Sequence, residues 1–536
     1  MELSALDWGV IVVYIIAMLG LSYYLSLKQK SERDYYLGGN DMGAWPIAIS
    51  TMATQCSTNS LLGAPAFVAF SAGGGLLWLQ YEMALPFAMI GLIFLMLPVF
   101  RAMKVISVYA YLEERFGRKT RVAISLLFQF ARAFGTGVTV YGISLVLMVC
   151  LQVPFWVAAL LLGVVTIVYD SMGGMEAVVY SDVIQMIILV LAIFFCVYLA
   201  TDMVGGVQQV LELAPDDRKT AIDFAAHGWG DGKTFGFWPM LFGGFFLYMA
   251  YYGTDQSQVQ RELSTRSVDE TNKSLFINGL LRFPLVLAYC FLGICLAAIA
   301  VKFPEFLDLI PKEEKLVNGV AQLVPNYNLA VPIFVLNYLP TGVVGLVMVG
   351  LFAAAMSSLD SVINSLSAAT MRDFVHPAHK HTLSVKKEIL WSKGLTVFWG
   401  VVCVAFAFVV GDISDSIIVS INKIGSLANG PILGVFLLGL LTKSVNERAA
   451  LLGFIGGFIA NIGAWMFAPG VSWLWWNVIG FAVTYLIGLA VALVLRQQIK
   501  PFNGPSFKEL ITPTTYKYAL LLGAYGIIVT ALLAAF

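Results

Sequence analysis

Residues Phe352 to Ser361 read F-A-A-A-M-S-S-L-D-S, inside an apolar segment that runs from about Thr341 to Met371. At helical spacing Ser357 and Ser361 share a face flanked by Ser358 and Asp360, so hydroxyls and a carboxylate are presented together at membrane depth. This is a candidate cation site. Ala353, Ala354 and Ala355 ahead of it let another backbone approach closely enough to lend carbonyl oxygens to a hard ion that has shed water. Serine and alanine also make plain close contacts between bundled helices. A carboxylate within a span is costly, however, and by default marks a functional position with a partner to be found.

Apolar runs of similar length recur along the whole chain. Of 536 residues, 59% are hydrophobic and 12% charged, and run after run meets the roughly 20-residue criterion for crossing a bilayer. The fold class is an all-α polytopic membrane protein of about fourteen spans, at 8–27, 44–69, 76–100, 121–151, 154–171, 176–201, 237–259, 274–301, 332–371, 390–411, 414–441, 448–469, 473–495 and 516–535. The first run follows Glu2 and Asp7 and precedes Lys28 and Lys30, the reverse of a cleavable signal peptide, so it is expected to stay as a span with its N-terminus outside. On that topology 23 of the 32 Lys and Arg fall at inner loops and inner helix ends, among them Arg261, against six in outer loops. Arg132, Arg282 and Lys423 lie within spans. The asymmetry supports the count and places both termini outside, in a plasma (inner) membrane.

The zero formal net charge points to no polyanionic partner and no nucleic acid. All six cysteines fall in apolar segments without zinc spacing. His376, His379 and His381 lie close together in an inner segment, where a solvated loop is the expected reading because no carboxylate or cysteine completes a metal set. Neither a phosphate-cradling loop with Lys, nor a G-x-S-x-G elbow, nor H-E-x-x-H is present, so neither ATP hydrolysis nor an intramembrane hydrolase has a motif to stand on. The chain reads as no enzyme, with no cofactor.

Two spans look interrupted. The second crowds Ser50, Thr51, Thr54, Gln55, Ser57, Thr58, Asn59 and Ser60 into the membrane, and the seventh carries Gly253, Thr254, Asp255, Gln256 and Ser257. Broken backbone at such depth survives only where it lines a cavity or meets an ion. The two spans run in opposite directions, so five-span units at 44–201 and 237–441 would be related by inverted topology, with the solute site between them. The rest divides into an extra N-terminal helix within 1–43, an outer loop at 202–236 and flanking helices at 442–536. The outer connections at 202–236 and 302–331 read as irregular loops or short interfacial helices.

Of the buried ionisable groups, Asp182 sits about 10 Å and Asp360 about 16 Å in from the inner boundary, at 1.5 Å rise per residue, and both could meet one cation path. Asp182 could equally be an N-terminal helix charge. Glu82 and Arg282 could each reach a central cavity, or Arg282 could pair with Asp255. Arg132 and Lys423 could snorkel or satisfy carbonyls of broken helices.

Taken together, A-T-Q-C-S-T-N-S (53–60), Y-L-E-E-R-F-G (111–117), G-G-M-E-A-V-V-Y-S-D-V-I-Q (173–185), Y-G-T-D-Q-S-Q-V-Q-R (252–261) and A-A-A-M-S-S-L-D-S (353–361) resemble the solute:sodium symporter family, which includes sodium/glucose, monocarboxylate, multivitamin and iodide cotransporters. The resemblance implies a leucine-transporter-type 5+5 inverted repeat and alternating access driven by Na⁺ as the coupling ion. By position it implies a sodium site from the backbone oxygens of Ala53, Cys56 and Ala354 and the hydroxyls of Ser357 and Ser358. It implies a possible second cation site around Asp182, Ser357 and Ser361, where Asp360 stands in place of a Ser. Tyr81, Glu82, Thr254, Asp255, Gln256 and Arg282 are similar to pocket positions of sugar transporters, and Ser60 is added to the solute set. The 111–121 segment and the Q-S-Q-V-Q-R-E-L run look closer to the monocarboxylate and multivitamin branch. Arg282 would suit a carboxylate, since guanidinium binds it bidentately. The expected function is Na⁺-coupled uptake of a small polar organic solute, leaning to a carboxylate or vitamin-like anion, with a sugar or polyol as the alternative. From another class, a channel or non-transporting sensor would want a continuous polar stripe or charge rings.

Overall fold

The computed structural model describes residues 3–56, 58–317, 320–379, 383–409, 417–495 and 500–535. Among these the principal helices are α1 (Ala5–Ser26), α2 (Ala44–Gln55), α3 (Thr58–Phe70), α4 (the composite run Gly75–Ala102), α5 (Arg118–Leu151), α6 (Phe155–Val204), α7 (Gly244–Thr254), α8 (Gln256–Leu263), α9 (Val268–Lys302), α10 (Val343–Thr370), α11 (Val385–Ala407), α12 (Ile417–Leu441), α13 (Glu447–Phe467), α14 (Leu474–Leu495) and α15 (Pro513–Ala535). Ten helices among the described residues are long and apolar enough to cross a membrane. Ser57, His381 and the join between the spans expected at 390–411 and 414–441 lie outside the described residues.

Local chemistry fixes the key boundaries. Helix α1 opens on a capping box in which the Ser4 side chain accepts from the Asp7 amide and Asp7 accepts from the Ser4 amide. The other Asp7 oxygen accepts the amides of Gly342 (2.8 Å) and Gly345 (2.7 Å), which pins the first span to the start of α10. Helix α6 has 50 residues, about 75 Å at 1.5 Å per residue and more than twice the hydrocarbon thickness. It is two arms joined at Gly174, whose backbone is non-helical (φ 58°, ψ −160°). A Cβ there would lie 2.5 Å from the Tyr35 carbonyl, so the turn requires glycine.

Both spans expected to be interrupted are. Between α2 and α3 the backbone leaves helical geometry at Cys56 (φ −79°, ψ 65°). Between α7 and α8 it does so at Asp255 (φ −80°, ψ 119°), whose carboxylate caps α8 by accepting the Ser257 amide at 2.8 Å. The chain entering α2 and the chain leaving α8 pair directly, with the Met42 amide donating to Ser264 O and the Arg266 amide to Met42 O.

The outer connection after α9 differs from the irregular loop or short interfacial helix expected there, and from an all-α fold class. It carries a two-stranded antiparallel hairpin, β1 (Lys312–Val317) on β2 (Val320–Pro325), in the register Lys312 to Pro325. Helix α10 is the centre of the bundle, with 89% of its most apolar window buried, against 17% for α15. Since lipid is as apolar as the protein interior, this burial is what lets α10 carry serines and a carboxylate that a lipid-facing helix would have to satisfy alone.

Candidate functional site

The end of α2 abuts the middle of α10. Ser357 Oγ lies 3.4 Å from the Ala53 carbonyl and 3.2 Å from the Ala354 carbonyl, and Ser358 Oγ donates to Ala354 O at 3.1 Å. Four of the five residues expected to hold sodium are thus linked in one chain of contacts, with Ser357 bridging the helices, and Cys56 ends α2 three residues beyond Ala53. A helix C-terminus presents carbonyls without intrahelical donors and carries the negative end of the helix dipole. Two hydroxyls and these carbonyls make an oxygen-rich pocket suited to a hard monovalent cation.

Adjoining it is a cavity of about 210 Å³ lined by residues of the broken spans, α4, α5, α9, α10 and α12. Thr54, Gln55 and Ser358 line it, so the serine pair and the cavity share a wall. Of the expected solute residues, Ser60, Tyr81, Glu82, Asp255 and Arg282 also line it. Gln256 does not. Its side chain accepts from the Val108 amide (2.8 Å) and donates to Ile106 O (2.6 Å), a fully buried brace on the loop before the short helix 109–115.

The charges pair differently from expectation. Arg282 is matched with Glu82, Nε to Oε2 at 3.4 Å, and its Nη1 donates to Cys56 Sγ. Asp255 is instead 3.4 Å from Arg132, which stacks over the Tyr251 ring and donates to Ser257 Oγ at 3.2 Å. Arg132 is thus a wall of the cavity and not a snorkelling charge. Lys423 lies over Trp476 at 5.9 Å. The cavity's lining carries two acids and two arginines, and 2 − 2 leaves it formally neutral.

Next to the serine pair lies a cluster centred on a residue that the inner-loop count had placed outside the membrane. Arg261 is wholly buried. It donates to Asp182 Oδ2 (3.0 Å), Ser50 Oγ (2.7 Å), the Ser257 carbonyl (2.5 Å) and Ser361 Oγ. Asp182 also accepts from Ser50 Oγ at 2.6 Å, and among the described residues its second oxygen is buried without a hydrogen bond. Ser361 Oγ sits 3.0 Å from Asp360 Oδ1, and Asp360 Oδ2 likewise has no hydrogen bond. Asp182, Asp360 and Ser361 are therefore neighbours, with Arg261 among them. Asp170 is buried nearby, its carboxylate accepting from Asn364 Nδ2 at 3.2 Å and its backbone carbonyl from the Tyr35 hydroxyl at 3.5 Å. The signal for Asp170 was its presence inside the span 154–171. For Arg261 the sequence gives none, because a basic residue two turns past a helix break reads as the helix's aqueous end.

A family model described as "Sodium:solute symporter family" matches residues 35–457, most of the chain. The chain belongs to the sodium:solute symporter family. Among the relatives this symporter resembles are the sodium-coupled monocarboxylate transporter 1 of Mus musculus, 30% identical over 85% of this chain and 72% of that protein, and the sodium/sialic acid symporter of Aliivibrio fischeri, 28% identical over 95% and 96%. The sodium/iodide cotransporter of Homo sapiens is 28% identical over 87% and 71%. A solved, substrate-bound, outward-open Na⁺-coupled sialic acid symporter superposes with a TM-score of 0.81 at 25% identity, covering 92% of this chain and 98% of that one. A nucleobase-cation-symport-1 family transporter shares the fold at a TM-score of 0.53 and 12% identity. The symporter is a Na⁺-coupled solute transporter of the membrane and not an enzyme.

Proposed function

We propose that the symporter carries a small organic anion, a carboxylate or vitamin-like acid, into the cell with Na⁺ seated between Ala53, Cys56, Ala354, Ser357 and Ser358. The observation that carries this reading is the shared wall: Ser358 belongs to the oxygen cluster and to the cavity, so ion and solute occupancy act on the same helix contact. Arg282 supplies a guanidinium inside the cavity whose resident partner, Glu82, is at the long distance of 3.4 Å, which leaves room for a competing solute carboxylate. The cavity of about 210 Å³ between the broken spans has room for a small solute. A formally neutral lining with the Tyr81 and Tyr248 rings supports a second reading, a neutral sugar or polyol.

A second cation position at Asp182, Asp360 and Ser361 is supported by the two carboxylate oxygens that lack hydrogen bonds. Fourteen crossings follow if the ten long helices are supplemented by a second arm of α6, the α2–α3 pair, the α7–α8 pair and α12. The two interrupted pairs fall at the starts of 44–201 and 237–441, which supports inverted repeats between the N-terminal segment 1–43, the outer loop 202–236 and the flanking helices 442–536. The lysine and arginine count supports both termini outside the plasma membrane.

Uptake into proteoliposomes, measured with panels of carboxylates, vitamins, sugars and polyols, is expected to require an inward Na⁺ gradient. Ser358→Ala should raise the Na⁺ concentration for half-maximal uptake about tenfold, the effect of losing roughly 1–1.5 kcal/mol from one oxygen ligand. Equal uptake in choline medium would remove the sodium reading, and stimulation by neutral hexoses alone would replace the anion with the polyol.

A further inference from the structure

We propose that Glu32, His376 and Glu388 form a binding site for one divalent transition-metal ion of the Zn²⁺ class, remote from the transport cavity. The three ligands come from different segments. Glu32 lies on the short helix 32–37 between α1 and α2, His376 just past the end of α10, and Glu388 in the first turn of α11. His376 Nε2 is 3.0 Å from Glu32 Oε2 and 3.8 Å from Glu388 Oε1, and one ligand atom from each residue falls within 4.8 Å of the others. Tetrahedral ligands bonded at about 2.1 Å stand about 3.4 Å apart, so the observed spacings bracket a metal's needs. The sequence had grouped His376 with its chain neighbours. The structure completes the set with carboxylates from elsewhere and leaves His379 exposed.

A second observation points to a missing cation. Among the described residues Glu32 Oε1 is buried without a hydrogen-bond partner, while Oε2 is 2.9 Å from Arg372 Nη2. Among the described residues, two carboxylates face one guanidinium at this cluster, an excess of one acid. A dication shared by His376 Nε2 and one carboxylate oxygen each of Glu32 and Glu388 offsets that excess. One imidazole with two carboxylates suits Zn²⁺ or its first-row neighbours over Mg²⁺ and Ca²⁺, which favour oxygen ligands alone. Glu388 is about one-fifth exposed, which gives the ion an entry path and a fourth, open position. His376 stands 18 residues beyond Ser358 on the same run, so a bound ion would tie the end of the sodium-site helix to two other segments and slow their relative motion.

The test is equilibrium dialysis of tag-free, full-length protein in detergent against Zn²⁺, with bound metal counted by atomic emission. One saturable Zn²⁺ per chain is expected, unaffected by millimolar Mg²⁺. His376→Ala should weaken it at least about 100-fold and Glu388→Gln about tenfold. Because Glu388 is partly exposed, its variant remains informative if His376→Ala fails to fold. Absence of saturable binding, or equal binding by the folded variants, would overturn the site and leave a plain ion-pair cluster. The readout involves no transport, so its failure is separate from any failure of sodium coupling.

Discussion

Replacing Arg261 with Met keeps most of the side chain's volume and removes its charge, leaving Asp182 buried with only Ser50 as a hydrogen-bond donor. At 3.0 Å and an effective permittivity of about 20, the gross attraction within the pair is about 5.5 kcal/mol. Much of that offsets the desolvation of two buried ions, and deleting one partner of such a pair costs about 3–5 kcal/mol. Adding Asp182→Asn to Arg261→Met removes the orphaned charge and should return more than half of the loss. The coupling in the double-mutant cycle is then about 2–4 kcal/mol. Reversible unfolding in dodecylmaltoside micelles titrated with dodecyl sulfate, followed by tryptophan fluorescence, reads each term. A single variant within about 1 kcal/mol of the parent, or a double variant that loses the full sum of the singles, would refute the assignment of Arg261 as the internal counter-ion of Asp182.

Two other substitutions test the hinge and the cavity. Gly174→Ala forces a Cβ to within 2.5 Å of the Tyr35 carbonyl in a backbone region reserved for glycine, and should cost more than about 2 kcal/mol in the same titration; a change under about 0.5 kcal/mol would show that the two arms of α6 meet differently. Glu82→Gln removes the carboxylate facing Arg282 and makes the formally neutral cavity singly positive. Ligand-induced thermal shifts should then report about tenfold tighter binding of organic anions and none for neutral sugars, a difference of about 1.4 kcal/mol. Weaker anion binding would mean that Glu82 orients Arg282 for the solute.

Much of the site was legible because water is absent from the bilayer core. Ser50, Thr54 and Gln55, and again Gly253, Thr254 and Asp255, could not sit in ordinary lipid-facing helix, so their position alone announced the breaks now seen at Cys56 and Asp255. Glu82 and Arg282 were legible for the same reason. Their pairing was not, since Arg282 chooses Glu82 from 200 residues away while Asp255 takes Arg132. Gln256 looked equivalent to its neighbour Asp255, but the helix that starts between them turns successive side chains in different directions, and only one meets the cavity.

The sequence by itself determined that the chain is a polytopic helical membrane protein, where its helices break, and which small and hydroxyl-bearing residues face one another along α10, because these follow from hydropathy, helical period and the cost of unsatisfied backbone in lipid. Only the tertiary structure decided that Arg261 is buried and not at an aqueous helix end, that the cavity's charges cancel in pairs, and that His376 meets Glu32 and Glu388. Those outcomes depend on which remote helices pack together, and side-chain charge in a low-dielectric interior is settled by the nearest partner in space, whatever its distance along the chain.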